Sequence, residues 1–561
     1  MAKTPPDPGT PVDRRTVLGL LAGGSAALAA PGHATGHTTG TARAETTWGS
    51  GLEGQRKADL GNGFYRNPIM AGDHPDTSIL KDGDDYYMTF SSFEESPGLQ
   101  VWHSRDLLNW APLGPALRAI PGAVFAVDIV KHAGRYYIYI PFMRMPWSTT
   151  LTDFSNIYVI HADSMHGPWS DPVDLQLHGR IDPGHVVGED GKRYLFLSGV
   201  DRVRLSDDGL ATDGPVEHVY DGWKYPDEWI TEAYSLEGPK LLRHGGWFYL
   251  TTAEGGTAGP PTSHMVTVAR SRSVHGPWEN CPHNPVVRTR SGAEPWWSRG
   301  HATFVEGPAG DWWMVYHGYE NGYRSLGRQT LLEPMEWTAD GWPRALGGDL
   351  SRPLRAPLHA ARAGGKRSAG PTEPHGIARS DDFTAPAFGT RWSFYSGGPQ
   401  EQRRAQVEGG VLRLEARGTG PADSSPMTNL AGDRAYEVGV ALALEGDVRG
   451  GLLLFLSGRL FLGLGIDGTT MTTYAGGGVH HWREQLEPTR ALHLRIRNEG
   501  HIVSFYYSTD GEHWTRHGLR LEASGYNANT ALPIEASSLR PALFCAGKGA
   551  VLFRDYRYQA L

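Results

Sequence analysis

The sequence predicts an all-β protein in which a five-bladed β-propeller is followed by a β-sandwich. Three observations support this prediction. A glycine turn followed by an aromatic strand recurs five times, strand-like runs continue after the last copy without that period, and helical periodicity is scarce throughout. The 73 glycines, 18 tryptophans and 23 tyrosines among 561 residues fit many tight turns between aromatic-rich strands.

The repeat that predicts the propeller is a hairpin. In each copy a glycine able to adopt positive φ separates two strands, the second rich in Tyr, Trp and β-branched residues. The copies recur every 51 to 65 residues, and a period near 50 with about four short strands is typical of propeller blades. The marker glycines are Gly83, Gly134, Gly191, Gly245 and Gly310.

The end of the repeats predicts the domain boundaries. We place the propeller at residues 60–357 and a linker, rich in Ala, Gly, Pro and Arg, at 358–380. From residue 381 alternating runs resume without the 50-residue period, and six or more antiparallel strands over this length favour a sandwich at 381–561. The runs lie at 410–415, 436–444, 451–456, 492–497 and 502–507.

The amino terminus is typical of an export signal. Arg14 and Arg15 precede an uncharged apolar stretch at 17–30, which is too short to span a bilayer. An A-x-A site at 42–44 follows, so residues 1–44 are predicted to be a twin-arginine signal and leader, with a disordered tail as the alternative. The protein is therefore expected to be secreted by a bacterium, and no later segment is long and apolar enough to cross a membrane.

Charge and cysteine content exclude two classes of protein. A net charge of −8 and a pI near 6.3 argue against a nucleic-acid partner, because such binding relies on neutralising phosphates. The two cysteines, Cys281 and Cys545, form neither a disulfide framework nor a zinc motif.

One ionisable residue precedes or begins each repeated hairpin, where the innermost strand of a blade lines the central channel. Carboxylates that converge on one channel predict glycoside hydrolysis, which needs one carboxylic acid to protonate the leaving oxygen and a second carboxylate to activate water or attack. A further charge nearby keeps the acid protonated. The alternative is ordinary strand-end residues satisfied by the backbone. The axial set is Asp76, Asp128, Asp182, Glu237 and His301.

These residues lie in motifs that resemble those of glycoside hydrolase family 43. The resemblance covers residues 64 to about 350 and rests on 67–79, 237–240, 300–301, 327–330, 336–337 and 340–343, although Thr77 and Val127 stand where the family usually has proline. The second domain resembles the concanavalin-A-like domain of the family's β-xylosidases.

The resemblance implies the roles of the site residues. Asp76 would be the general base, Glu237 the general acid, and Asp128 the residue that orients the acid and raises its pKa. Arg328 would bind a sugar hydroxyl, and His301 would lie on the axis below the sugar. The family works by inversion, and the chemistry requires no cofactor.

Aromatic side chains near these motifs are candidates for stacking on a sugar face. We select Phe93 and Trp297, the latter because it precedes the axial His301 by only a few residues. Burial between blades is the alternative for both, because Trp and Phe are usually core residues.

The family's sandwiches often bind a structural calcium, and here the ligands would come from Asp381, Asp382 and the last strand. That strand carries an arginine where an aspartate ligand is expected, and Asp555 would serve only after a register shift. The sequence therefore leaves the metal undetermined.

The substrate predicted from the resemblance is a xylo- or arabino-oligosaccharide. We expect a secreted xylan 1,4-β-xylosidase that removes terminal pentosyl residues. The alternatives are an α-L-arabinofuranosidase or, in a different class, a non-catalytic carbohydrate-binding protein. The motifs of fructan-cleaving hydrolases, which also have five blades, are not found in the sequence.

Overall fold

The computed structural model describes residues 47–357, 374–396, 398, 400–482, 486–530 and 537–561. The predicted export segment at 1–44 lies outside the described residues, as does most of the predicted linker. Regular structure within the described ranges consists of β-strands and three short 3-10 helices, so the all-β prediction is confirmed. The helices are Leu52–Gly54, Arg324–Leu326 and Glu401–Arg404.

Five antiparallel sheets form the blades, which confirms the five-bladed propeller. In each sheet the strands lie side by side in chain order. Blade 1 contains Ser78–Asp82, Asp85–Thr89, Gly98–Ser104 and Ala111–Leu117. Blade 2 contains Asp128–His132, Arg135–Met143, Ser155–Ala162 and Val173–His178, with Ala123–Val124 added. Blade 3 contains Gly184–Val187, Arg193–Leu197, Asp201–Arg204 and Glu217–His218. Blade 4 contains Glu237–His244, Trp247–Glu254, Met265–Ser271 and Glu279–Asn280, with Val287–Arg288 added. Blade 5 contains Trp296–Glu306, Trp312–Glu320, Arg328–Trp337 and Pro343–Ala345.

Aromatic and β-branched side chains of neighbouring blades form the propeller core. Every pair of adjacent blades shares one hydrophobic cluster, including the pair that joins blade 5 to blade 1. Tyr139 of blade 2 and Phe196 of blade 3 are fully buried in this way. The repeated aromatic strand therefore exists because each blade buries its faces against the next.

The ring is closed by the segment that precedes blade 1. Its strand Phe64–Tyr65 pairs with Leu354–Arg355 after blade 5. Further along the segment, the Ile69 N–H donates to Thr330 O (3.0 Å) and the His74 N–H donates to Arg328 O (2.8 Å). This closure places the residues around Asp76 directly beside Arg328. A second short pair, Gly49–Ser50 with Arg56–Lys57, lies nearer the amino terminus.

Two long bent strands, Ala435–Ser457 and Arg540–Ala560, build the carboxy-terminal domain. They pair with each other and run through both layers of a sandwich. On one layer they continue through Ala491–Glu499, Ile502–Ser508, Thr515–Glu522, Val411–Glu415 and Ala405–Glu408. On the other they continue through Leu460–Ile466, Met471–Ala475, Gly478–Val479, Met427–Thr428 and Ser393–Tyr395. Between the layers lies the largest hydrophobic cluster, to which Leu452, Phe505 and Phe553 belong.

The two domains share a strand pair. Glu95–Ser96 of the propeller pairs antiparallel with Ser393–Tyr395 of the sandwich. The described residues between 47 and 561 form one compact unit. Cys281 and Cys545 are both buried free thiols, and the described residues include no helix that is both long and apolar enough to span a bilayer.

Candidate active site

The axial carboxylates and His301 meet where the inner strands of the blades begin. Asp76 and Asp182 each stand two residues before an inner strand, at Ser78 and Gly184. Three axial residues adopt left-handed backbone conformations, with φ of +56° at Asp76, +52° at Asp182 and +58° at His301. Such conformations are uncommon outside glycine and concentrate at functional sites. Because the three residues have the same backbone conformation, we regard their positions in the three blades as equivalent.

Asp76 is a buried carboxylate held by three groups. The Arg328 Nη1–H donates to its Oδ1 (2.8 Å), and the Ser91 hydroxyl donates to its Oδ2 (2.6 Å). The Asp76 backbone N–H donates to Nδ1 of His317 (3.0 Å). Burial alone would raise the pKa of Asp76, but the Arg328 guanidinium, together with His317 and His301, outweighs burial and holds that pKa well below its usual range. Asp76 is therefore an anion under all ordinary conditions.

Glu237 has the opposite electrostatic environment. It begins the inner strand of blade 4 at a register shift, and its side chain is 22 % exposed, whereas that of Asp76 is 6 % exposed. Burial raises the pKa of Glu237 well above its usual range, and the negative charges of Asp182 and Asp76 raise it further. Glu237 is therefore a carboxylic acid that retains its proton and still reaches solvent.

Two stacked imidazoles lie between these carboxyl groups. The rings of His264 and His317 are parallel within 4° with centroids 5.3 Å apart. His264 Nδ1 lies 3.8 Å from Glu237 Oε1, and His317 Nδ1 lies 3.2 Å from Asp76 Oδ1. Burial lowers the pKa of both histidines, so the stack is uncharged. The two carboxyl groups therefore contact different rings of the stack.

Asp182 lies against the acid. Its Oδ2 accepts the backbone N–H of Gly238 (3.0 Å), the residue after Glu237, and the Ser198 hydroxyl (2.9 Å). Burial, followed by the charge of Asp76, raises the pKa of Asp182 to about 6. Above that pH Asp182 is an anion beside Glu237, and like charges disfavour ionisation of the second group.

Asp128, which the sequence analysis selected for this role, has a different environment. Its Oδ1 accepts hydrogen bonds from Lys240 Nζ (2.9 Å) and the Ser78 hydroxyl (3.1 Å), and its Oδ2 accepts the His185 N–H (2.7 Å). These partners come from blades 4, 1 and 3, so Asp128 ties four inner strands together. Its charge is balanced by Lys240, whereas the charges that raise the pKa of Glu237 most are those of Asp182 and Asp76. The geometry thus favours Asp182, not Asp128, as the group that keeps the acid protonated.

His301 lies beside Asp76 and beside Gly238, the residue after Glu237. Its Nδ1 is 3.5 Å from Asp76 Oδ1, and burial lowers its pKa to about 3. The ring packs on Gly238, where an added Cβ would come within 2.9 Å of it; with φ at +60°, that position requires glycine. His301 therefore fills the space beside both Asp76 and the residue after Glu237.

The remaining predicted binding residues differ in position. Arg328 is bound to Asp76, and its guanidinium lies 5.6 Å from the centre of the Phe93 ring. Phe93 is 1 % exposed and packs against Arg328. The half-buried Phe125 ring contacts the Phe93 ring edge-on, with the ring centroids 5.3 Å apart. Trp297 is half-buried, donates to Gly292 O (3.1 Å) and lies under Arg324. A sugar-stacking role for Trp297 stays a prediction.

Sequence reasoning missed His264 and His317. His317 stands inside the aromatic strand Trp312–Glu320, and His264 directly precedes the apolar strand Met265–Ser271. The available signal was a histidine within or directly beside a run of apolar and aromatic residues, because a polar ring buried in such a run needs a partner.

The predicted calcium ligands do not fit a cation. The Asp381 carboxylate accepts the Trp392 indole N–H (2.8 Å) and forms an ion pair with Arg391 (3.0 Å). Asp382 and Asp555 are exposed and do not share a cluster with it. Among the described ranges, no group of three or more His, Cys, Asp or Glu residues could hold a metal ion.

Known proteins with related sequences include a xylosidase and an arabinofuranosidase. A Vibrio xylan 1,3-β-xylosidase is 34 % identical over 319 residues, which is 50 % of this chain and 56 % of the relative. A non-reducing end α-L-arabinofuranosidase of Bacteroides ovatus is 33 % identical over 312 residues, 50 % of this chain and 53 % of the relative. The chain thus spans about half the length of these two relatives.

Solved structures match over a longer range. A family 43 protein of Bacillus licheniformis superposes with a TM-score of 0.77 at 26 % identity, covering 89 % of this chain and all of that chain. A xylan β-1,4-xylosidase of Bacillus halodurans C-125 gives 0.75 at 26 % identity, covering 88 % and 99 %. The sequence model of glycosyl hydrolases family 43 matches residues 65–343, which is nearly all of the propeller. This chain, with its axial carboxylates and its sandwich, belongs to glycosyl hydrolases family 43.

Proposed function

We propose that this protein is a glycoside hydrolase that removes terminal pentosyl residues by inversion at the anomeric carbon. The observation that carries the proposal is the electrostatic asymmetry of two carboxyl groups at one site. Asp76 is kept ionised by Arg328, while Glu237 is kept protonated by burial and by its anionic neighbours. Glycoside hydrolysis needs this pair of states at the same pH.

The chemistry follows from those states. The Asp76 carboxylate takes a proton from a water molecule as the water attacks the anomeric carbon. Glu237 gives its proton to the glycosidic oxygen as that bond breaks. Inversion requires Asp76 and Glu237 to act on opposite faces of one sugar ring, and Arg328 and Ser91 fix the Asp76 carboxylate for that step.

For the substrate we propose a xylo-oligosaccharide cleaved at terminal β-1,4-xylosyl residues, with α-L-arabinofuranosides second. The support is the similarity to a xylan 1,3-β-xylosidase, a xylan β-1,4-xylosidase and a non-reducing end α-L-arabinofuranosidase. The paired arginines and short apolar stretch of the amino terminus support export from a bacterial cell.

A comparison of two aryl glycosides tests the proposed substrate. We expect release of phenol from aryl β-D-xyloside with a higher kcat/KM than from aryl α-L-arabinofuranoside, and release of xylose from the ends of xylo-oligosaccharides. Activity confined to internal arabinan bonds would contradict terminal cleavage. Tight sugar binding without turnover would favour the non-catalytic carbohydrate-binding alternative.

The Asp182→Asn variant tests what keeps the acid protonated. Removing this negative charge should lower the pKa of Glu237, so the alkaline limb of the kcat/KM profile should move to lower pH. The pH dependence of aryl xyloside hydrolysis measures this shift.

The Asp128→Asn variant is the matched control. It leaves Lys240 buried without its counter-charge, which should lower the free energy of unfolding by about 3–5 kcal/mol. Its alkaline limb should stay at the wild-type position, as denaturant unfolding and the pH profile together show. An alkaline limb that moves in Asp128→Asn but not in Asp182→Asn would restore the role first predicted for Asp128.

A further inference from the structure

The sandwich domain touches the catalytic base through a short chain of contacts. Arg540 of the sandwich lies 3.3 Å from Asp73 Oδ2, and the other oxygen of Asp73 accepts the backbone N–H of Arg328 (3.0 Å). Arg328 in turn donates to Asp76 (2.8 Å). We propose that Arg540 is a positioning residue of the active site, which acts through Asp73 to fix Arg328 and with it Asp76.

The contact between Asp73 and Arg328 is built into the backbone. Residue 327 is a glycine with φ of +75°, and an added Cβ would lie 2.2 Å from Asp73 Oδ1. Only glycine allows the carboxylate to approach the Arg328 N–H this closely. The main chain of Arg328 is therefore held by Asp73, independently of the bond between its side chain and Asp76.

Asp73 depends on Arg540 for its charge. Its side chain is 1 % exposed and that of Arg540 is 7 % exposed, so both charges are buried. Burial raises the pKa of Asp73 and the charges of Arg540 and then Arg328 lower it, which together leave that pKa raised to about 6. A buried carboxylate that loses its counter-charge takes up a proton and becomes a weaker acceptor.

Other charged groups around Asp73 do not replace Arg540. Glu95 of blade 1 also binds Arg540, but its side chain is 27 % exposed and it carries the wrong sign. His74, Arg379 and Arg391 line a cavity of about 60 Å³ together with Asp73 and Arg540, but the charges that contribute most to lowering the pKa of Asp73 are those of Arg540 and Arg328. Burial lowers the pKa of His74 to about 3, so it is uncharged.

The sandwich holds the same segment at a second point. Just before Gly327, the Ser325 carbonyl accepts the N–H of Leu539 (2.8 Å), and the Ser325 hydroxyl lies 2.8 Å from Nε2 of His501. Leu539 is the neighbour of Arg540 in the chain. The sandwich therefore holds the segment that leads into Arg328 at two points. Leu539 binds the main chain at Ser325, and Arg540 pairs with Asp73, the carboxylate that accepts the Arg328 N–H.

The test measures kinetics of Arg540→Met in the full chain. Because misplacing a binding group by about 1 Å costs up to about 100-fold, kcat/KM should fall about 10- to 100-fold. The acid limb of the profile should move to higher pH, because Asp73 without Arg540 binds its proton more tightly. Arg540→Gln, which keeps a donor but no charge, should show the same shift and serves if Arg540→Met does not fold.

The control is Arg202→Met in blade 3. Arg202 is 6 % exposed and paired with the exposed Glu217, so it matches Arg540 in burial and also binds a carboxylate, but it lies on the third strand of its blade, away from the inner strand. It should lower the thermal midpoint as Arg540→Met does, with kcat/KM and the pH profile unchanged. An equal kinetic loss in both variants would reduce Arg540 to a purely structural residue.

The double variant Asp73→Asn/Arg540→Met isolates the connection. The asparagine oxygen can still accept the Arg328 N–H and needs no counter-charge, so the double variant should stay within about threefold of Asp73→Asn alone. Losses that multiply would show that Arg540 does not act through Asp73. The inference rests on the proposed function: an inactive wild type overturns both, whereas an active wild type with kinetically normal Arg540 variants overturns only the positioning role.

Discussion

Replacing Asp76 by asparagine is expected to reduce kcat for aryl xyloside by about 10²- to 10⁴-fold, because a general base contributes about that much and no other ionised carboxylate occupies its position. The amide cannot take a proton from water, yet its oxygen can still accept the Arg328 N–H, and its NH2 group can donate to the Ser91 hydroxyl oxygen. The site should therefore keep its shape. Steady-state kinetics measures the loss, and calorimetric titration with xylose should show affinity close to that of the wild type.

Asp106→Asn is the matched control for Asp76→Asn. Asp106 is 6 % exposed in the same blade and accepts backbone N–H groups of a turn away from the axis. Its substitution should leave kcat unchanged. Turnover by Asp76→Asn within tenfold of the wild type would remove Asp76 from the role of base.

Replacing Glu237 by glutamine is expected to give the second large loss, and its size should depend on the leaving group. A natural sugar leaving group needs the proton that Glu237 supplies, so kcat/KM on xylobiose should fall about 10²- to 10⁴-fold. A nitrophenolate leaves without help, so the loss on nitrophenyl xyloside should be much smaller. The ratio of the two losses, measured with the same preparation, is the diagnostic quantity.

Glu333→Gln provides the comparison for a buried glutamate outside the site. Glu333 is 1 % exposed on blade 5 and binds the Tyr316 hydroxyl. Any loss it causes should be the same for both substrates. A Glu237→Gln variant with equal losses on both substrates would contradict the role of proton donor.

The blades could be predicted from the sequence because each repeats the same local pattern. A glycine turn and an aromatic strand recur at Gly83, Gly134 and the later copies, and the structure places a hairpin at each. Such signals are local, since the turn and the alternation are set by residues close in the chain.

The choice between Asp128 and Asp182 could not be made by counting from the marker glycines. The spacing differs between blades, and in blade 2 Asp128 is the first residue of the inner strand, whereas Asp76 and Asp182 precede theirs. The backbone conformation that unites Asp76, Asp182 and His301 is a property of the fold. So is Lys240, which comes from another blade to neutralise Asp128.

The contribution of the sandwich to the site was also beyond sequence reasoning. Arg540 and Asp73 are 467 residues apart, and only Asp73 lies in one of the motifs on which the resemblance rests. Their meeting depends on how the two domains dock, which is set by the shared strand pair of Glu95–Ser96 with Ser393–Tyr395. Hydrophobic periodicity predicts which face of a strand is buried, but it does not predict which charged residues from distant parts of the chain come into contact.

The central claim is that Asp76 activates water for direct displacement while Glu237 protonates the leaving oxygen. Proton NMR of the first product formed from a β-xyloside tests it most directly, recorded before mutarotation equilibrates the anomers. The account predicts that α-xylose appears first. Initial formation of β-xylose would contradict it, because retention would require a glycosyl-enzyme on one of the two carboxylates.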